Sequence, residues 1–255
     1  MYPEGELTLD PSHPRYKSLL LRERLVNGFY NGIVVPEGLI AHGRGEMFDY
    51  VIGEETSPPA LKAEKAAAAA IIASESPVIS VNGNLAALCS KEVAHLSKAT
   101  GAKVEVNLFH WSEKRAKLIR KILESNGAKK VLAEKPDVWL EGMRSNRGMC
   151  HAEGIFSADT VLIPLEDGDR ALALADMGKT VISLDLNPLS RTSLFASISI
   201  VDEVTRAMPN LIRFSKELAG KEKRAAGIAK KFDNASNLSD LYRLIGARFD
   251  KLGKN

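Results

Sequence analysis

From Pro77 onward the chain alternates between two kinds of segment, and this alternation limits the folds open to it more than any other feature. Short runs rich in β-branched residues are separated by stretches with helical spacing. The runs are Val78-Ile79-Ser80-Val81, Val104-Glu105-Val106, Lys130-Val131-Leu132, Thr160-Val161-Leu162-Ile163, Val181-Ile182-Ser183-Leu184 and Ile198-Ser199-Ile200-Val201. Leu85, Leu88, Cys89, Val93 and Leu96 form one apolar helical stripe, and Leu118, Ile119, Ile122 and Leu123 form a second that ends at Asn126-Gly127. A third helix is expected from Asp169 to Met177, with Gly178 as its stop. Strands joined by helices of roughly 10–15 residues imply right-handed crossovers and parallel pairing. The expectation is an α/β fold: a Rossmann-like, mostly parallel sheet flanked by helices, with N-terminal and C-terminal helical segments.

Ahead of the alternation, residues 10–31 open with Pro11 and Ser12 and place Leu19, Val26 and Phe29 on one stripe, on which Arg22 also falls. Pro58-Pro59 opens an Ala-rich helix that runs to Ser74. Between them lies Gly38-Leu39-Ile40-Ala41-His42-Gly43-Arg44-Gly45-Glu46, whose glycines predict a loop or a close backbone approach. Residues 137–159 lose all periodicity, and a long aperiodic segment inside a compact domain is usually functional or mobile. Residues 204–252 return to a helical pattern rich in Lys, Ala and Leu. A single α/β domain over 1–255 is expected, with a helical and loop segment at 1–76, the Rossmann-like core at 77–203 and a helical segment at 204–255.

Composition narrows the function classes. Hydrophobic residues at 45% and charged residues at 26% exclude a disordered or collagen-like chain. The 35 Lys+Arg and 32 Asp+Glu leave a net charge of only +3, and residues 213–255 alone hold 11 basic and 5 acidic residues. The basic excess therefore belongs to the terminal helices. A nucleic-acid-binding protein using those helices is one alternative, but aromatics are 6% and do not interleave with basic residues, so no nucleic-acid partner is expected. Cys89 and Cys150 lack CxxC spacing, which favours a reducing cytoplasm. Met1 to Glu6 show neither the basic start nor the apolar run of a signal peptide. The longest apolar stretch, residues 66–73, is far below the roughly 20 residues that span a bilayer, so no membrane partner is expected.

In a doubly wound sheet, ligands bind beyond the carboxyl ends of the strands. After the first strand comes Asn82-Gly83-Asn84, leading into a helix whose free N–H groups suit an anion; a tight turn with Asn84 as N-cap explains the same residues. After the strand at Val181 come Asp185, Leu186, Asn187, Arg191 and Thr192, a carboxylate, an amide and a guanidinium that fit ribose and phosphate, or alternatively an Asn-Pro turn. Asp202-Glu203 follows the strand at Ile198 and also reads as an ordinary helix start. Arg44, Arg144 and Arg147 sit in glycine-bearing segments and read as anion contacts. His42, His110 and His151 show no metal-ligand spacing, so no dedicated metal site is expected, while Mg²⁺ brought by a nucleotide needs few protein ligands. Cys150-His151 is set aside as a nucleophile and base, because adjacent residues rarely face each other. The absence of GxGxxG argues against the other enzymatic alternative, a nicotinamide-dependent oxidoreductase, and the P-loop pattern is absent too.

Four stretches in this order, His42 to Tyr50, Val78 to Leu88, Gly142 to Gly154 and Ser183 to Thr192, resemble the archaeal phosphopantothenate synthetase (4-phosphopantoate–β-alanine ligase) family. The similarity runs over most of the chain. It implies ATP-dependent condensation of 4-phosphopantoate with β-alanine in coenzyme A synthesis, with AMP and pyrophosphate released through an acyl-adenylate, and it implies a homodimer. It also implies ATP contacts from Arg22, Arg44, Asp185, Leu186, Asn187, Arg191 and Thr192, and from the helix start at Glu203 and Val204. Asn82, Gly83, Asn84, Arg144 and Arg147 are then expected to cradle the phosphopantoate. Such chemistry needs aligned anions and charge neutralisation rather than a protein nucleophile. His42 and His151 are the candidates for the base that deprotonates the amine. Lys65 is a candidate phosphate contact, against the alternative of a solvated lysine.

Overall fold

A computed structural model describes residues 10–254. Met1 to Glu6, where no signal-peptide pattern was expected, lie outside the described residues. Three helices come first: α1 (Tyr16–Tyr30), α2 (Pro36–Ile52) and α3 (Pro58–Ala73). The alternating core follows as β1 (Pro77–Val81), α4 (Gly83–Thr100), β2 (Lys103–Val106), α5 (Glu113–Ser125) and β3 (Val131–Leu132). After a short antiparallel pair, β4 (Val138–Trp139) and β5 (Met149–Cys150), come β6 (Thr160–Pro164), α6 (Gly168–Asp176), β7 (Thr180–Leu184), α7 (Arg191–Phe195) and β8 (Ile198–Ile200). Helices α8 (Val204–Leu218), α9 (Glu222–Lys230) and α10 (Asn234–Leu252) complete the chain.

The main sheet has the order β3-β2-β1-β6-β7-β8 with every pair parallel. The chain winds outward from β1 through β2 to β3, returns to β6 beside β1, and winds out the other way. This is the doubly wound arrangement, with its switch point between β1 and β6. Every residue of β1 and β6 is buried, as a parallel sheet covered on both faces requires. The two-residue period of the strands divides them between two cores. Ile79, Val81, Leu162, Ile182 and Ile198 pack with the helices α3, α4, α5 and α8. Val78, Val161, Ile163 and Val181 pack on the other face with Ala171 and Leu174 of α6 and with Leu140, Cys150 and Ile155.

Two local expectations are corrected. The glycine-punctuated stretch 38–46 is helical, lying wholly within α2. Gly43 and Gly45 face open space, and each weakens a helix by roughly 0.5–1 kcal/mol relative to alanine, which is why they read as loop. Tertiary contacts override that preference. Pro36 starts the helix, Glu46 pairs with Arg22 of α1 at 2.6 Å, and Arg206 of α8 holds Asp49. The second correction is that Asn82, not Asn84, caps α4, its Oδ1 accepting from the Leu85 N–H at 3.0 Å. Asn84 instead donates to the Gly38 carbonyl at 2.8 Å, and a side chain on Gly38 would collide with it. The close backbone approach expected of that stretch is made there.

Candidate active site

A cleft of about 740 Å³ opens at the carboxyl edge of the sheet, across the switch point. Its floor is the turn after β1, Asn82 to Asn84, and the turn after β6, Leu165 to Gly168. Helix α2 closes one side with His42 and Arg44, and the segment after β7 closes another with Asp185, Leu186, Asn187, Arg191 and Thr192. Arg147 reaches in from the segment between β4 and β5. Thus eleven residues expected at the site, 42, 44, 82–84, 147, 185–187, 191 and 192, line one space.

The others lie elsewhere. Arg22 is on α1, ion-paired with Glu46. Arg144 borders a separate depression of about 470 Å³ with Asp169 and Asp176. Glu203 caps α8 by accepting from the Thr205 N–H at 2.8 Å, its carboxyl pushed up by burial, and Val204 is buried behind it. His151 is buried against Glu105, which raises its pKa, and its Nε2 meets the Glu134 carbonyl at 3.1 Å. Lys65 is exposed on α3. Cys150, beside His151, has its thiol pushed up to about 12 by burial and Glu105, so it carries no thiolate at neutral pH.

The switch point is held by unusual local structure. Leu165 adopts a left-handed backbone with φ 53°, a conformation that costs a branched residue roughly 1–3 kcal/mol and persists only where its surroundings fix it. Three hydrogen bonds do so. Leu165 N–H donates to the Leu184 carbonyl at 2.9 Å, and Asn82 Nδ2 donates to the carbonyls of Pro164 and Leu165 at 2.8 and 3.0 Å. The outcome is to turn Glu166 inward. Its carboxylate lies 2.9 Å from Arg147 Nε and also pairs with the fully buried Arg170, whose Nη1 donates to Ser80 Oγ at 3.0 Å. Its carbonyl accepts from Thr192 Oγ1 at 2.8 Å, tying the turn to the start of α7. Burial, with Glu166 beside it, raises the carboxyl of the half-exposed Asp167.

The β1–α4 turn is tight. A Cβ on Gly83 would lie 2.3 Å from the Ile33 carbonyl oxygen and 2.6 Å from Arg115 Nη2. Backbone cannot yield to it cheaply. Gly83→Ala is therefore expected to destabilise the chain by about 1–3 kcal/mol, the usual cost of overpacking, seen as a lower urea midpoint at unchanged slope. A midpoint equal to wild type would mean that the turn opens to admit the methyl group.

Sequence reasoning missed Glu166, Asp167 and Arg115. The rule that ligands meet residues just after each strand applied to Glu166 and Asp167 as much as to Asn82, since both follow the strand at Thr160. Arg115 sits in the first turn of α5 among Lys114, Lys117 and Lys121 and had no signal separating it from a solvated face.

The switch-point cleft, with guanidinium groups from four different segments and a helix start on its floor, defines a doubly wound α/β protein built for anionic ligands. The model of the family described as phosphopantothenate/pantothenate synthetase matches residues 59–248, and the chain belongs to that family. Three proteins named 4-phosphopantoate–beta-alanine ligase are similar to it over nearly their whole lengths. That of Methanospirillum hungatei is 50% identical over 237 residues, covering 93% of this chain and 96% of its own. That of Methanosarcina mazei is 51% identical over 231 residues, with coverage of 89% and 90%. That of Thermococcus kodakarensis is 44% identical over 250 residues, with coverage of 97% and 96%. Among the described residues no helix is long and apolar enough to cross a membrane, and no group of three or more His, Cys, Asp or Glu is placed to hold a metal ion.

Proposed function

We propose that the chain is an ATP-dependent ligase that joins 4-phosphopantoate to β-alanine in coenzyme A biosynthesis. The observation that carries this reading is the convergence, in one cleft, of the turn after β1 and the segment after β7, in a chain about half identical to ligases so named. In this reading ATP lies on Arg44, Asp185, Leu186, Asn187, Arg191 and Thr192, and phosphopantoate on Asn82, Gly83, Asn84 and Arg147. Arg22, Glu203 and Val204 do not line the cleft: Arg22 is tied to α2 through Glu46, and Glu203 and Val204 form the start of α8; Arg144 borders the separate depression. The pantoate carboxylate attacks the α-phosphorus, the bond to the β-phosphate breaks, and pyrophosphate leaves. The amine of β-alanine then attacks the acyl carbon, the bond to AMP breaks, and the amine proton passes to His42. His42 suits that task because burial holds it below the ordinary histidine value of 6.5, leaving it neutral at pH 7.

The cleft carboxylates fit a Mg²⁺ carried by ATP, an ion that takes one or two protein carboxylates and keeps its waters. Asp167 and Asp185 would hold it, and it would neutralise the phosphate charge. A homodimer belongs to the same reading, supported by the exposed apolar side chains of Leu189, Leu194 and Phe195. A cytoplasmic setting belongs to it as well.

Purified protein given ATP, Mg²⁺, 4-phosphopantoate and β-alanine is expected to release AMP and phosphopantothenate; ADP instead would overturn the mechanism. Arg44→Ala and Asn187→Ala are each expected to lower kcat/KM for ATP by about 10-fold or more without unfolding the chain, as loss of a charge-assisted or well-placed hydrogen bond does. Wild-type kinetics in both would remove the nucleotide from this wall of the cleft.

A further inference from the structure

Four guanidinium groups line the cleft, and they are not equivalent. Arg147 is paired with Glu166, Arg191 is paired with Asp169, and Arg44 is exposed on α2. Arg115 is partly buried and has no carboxylate within 4.0 Å among the described residues. Its Nε donates to the Ile33 carbonyl at 2.7 Å and its Nη1 to the His110 carbonyl at 2.9 Å. Two carbonyls fix the plane of the group without cancelling its charge. Nη2 is left beside Gly83, at the first residue of α4, where the Gly83 and Asn84 amides have no acceptor within the helix. Burial and the nearby Arg147 lower Arg115 to about 10 against the weaker pull of Glu37, so it stays charged at neutral pH with no carboxylate in contact.

Position in the sheet says which anion completes it. Arg115 follows β2, whereas the segment holding Asp185 to Thr192 follows β7, three strand spacings away, or roughly 14 Å. One end of the cleft thus suits the nucleotide, and the other suits the far end of its co-substrate. We propose that Arg115, with the first amides of α4, binds the phosphate monoester of 4-phosphopantoate and makes the site selective for the phosphorylated acid. A tetrahedral dianion can accept from Nη2 and from two helix-start N–H groups at once, which a planar carboxylate does less well.

This inference rests on the ligase reading, and the test separates the two. Arg115→Gln and Arg115→Lys are assayed with 4-phosphopantoate and with pantoate. In Arg115→Gln the KM for 4-phosphopantoate is expected to rise about 10- to 100-fold, the range for a lost charge-assisted hydrogen bond, with Arg115→Lys in between. The KM for ATP and the kcat stay within about twofold, since the segment assigned to the nucleotide is three strand spacings away. Preference for 4-phosphopantoate over pantoate falls by the same factor. An equal loss with both acids would make Arg115 a scaffold residue and overturn the proposal. If the wild-type chain forms no phosphopantothenate, the ligase reading fails. Titration of wild type and Arg115→Gln with inorganic phosphate then decides the anion site alone, equal affinity overturning it. A crystal structure of the wild-type chain with 4-phosphopantoate needs no variant: phosphate on Arg115 supports the assignment, and phosphate elsewhere ends it.

Discussion

Glu166→Ala is expected to destabilise the chain by about 3–5 kcal/mol, the cost of breaking a buried ion pair from one side. The Glu166 side chain is 1% exposed, that of Arg170 is 0% and that of Arg147 is 8%. Removing the carboxylate leaves two buried guanidinium groups without their shared counter-charge. Asp167, 3.6 Å from Arg147 Nε but 54% exposed, offsets only part of that charge and does not pair with Arg170. For a chain of this size each kcal/mol lowers Tm by roughly 2–4 °C, so a drop on the order of 10 °C should appear in thermal melts. The double variant Glu166→Ala, Arg170→Met should recover part of the loss, because replacing a buried charge with an apolar side chain removes its desolvation cost. A loss under about 1 kcal/mol in the single variant would mean that water enters the cluster.

His42→Ala is expected to lower kcat for amide formation by about 10²- to 10³-fold, the lower part of the range for general bases, while KM for ATP changes little. The pH profile supplies the sign. Burial depresses the folded pKa of His42, so the base form persists as pH falls through 6.5 and is lost only below it. The acid limb of wild-type kcat should therefore lie below pH 6.5 and vanish in the variant. Hydroxylamine, whose nitrogen is already unprotonated at neutral pH, should form hydroxamate at nearly equal rates with both proteins. If His42→Ala loses hydroxamate formation as severely as amide formation, His42 positions the acyl group and is not the base.

Much of the fold was legible because it depends on local pattern. Each of the six β-branched runs from Val78 to Ile200 became a strand of the parallel sheet, and the stops at Gly127 and Gly178 both take the positive φ that ends a helix. The segment 137–159 was less legible, since β4 and β5 are two residues each and too short to show a period. The helix over His42 and Arg44 was hidden by Gly43 and Gly45, whose local preference is outweighed by the ion pairs of Glu46 to Arg22 and of Asp49 to Arg206, 24 and 157 residues away.

The candidate site divides along the same line. Asn82 to Asn84 and Asp185 to Thr192 could be found in the sequence because a parallel sheet sends every strand end to one edge, whatever the details of packing. Arg144 and Arg147 looked alike in sequence, only three residues apart, yet the 3₁₀ turn at Asn146–Gly148 sends one into the cleft and the other to a separate depression. Arg115 was one basic residue among several on α5 until Ile33 and His110 presented their carbonyls to it.

Periodicity and the handedness of crossovers were enough to fix the succession of strands and helices, the parallel sheet, and the set of turns from which a site could be drawn. Which charges face one another was settled by packing. Whether Arg147 is spent on Glu166 and Arg115 left free for a ligand depends on contacts between residues far apart in the chain, and no local pattern encodes the burial that makes one cation paired and another available.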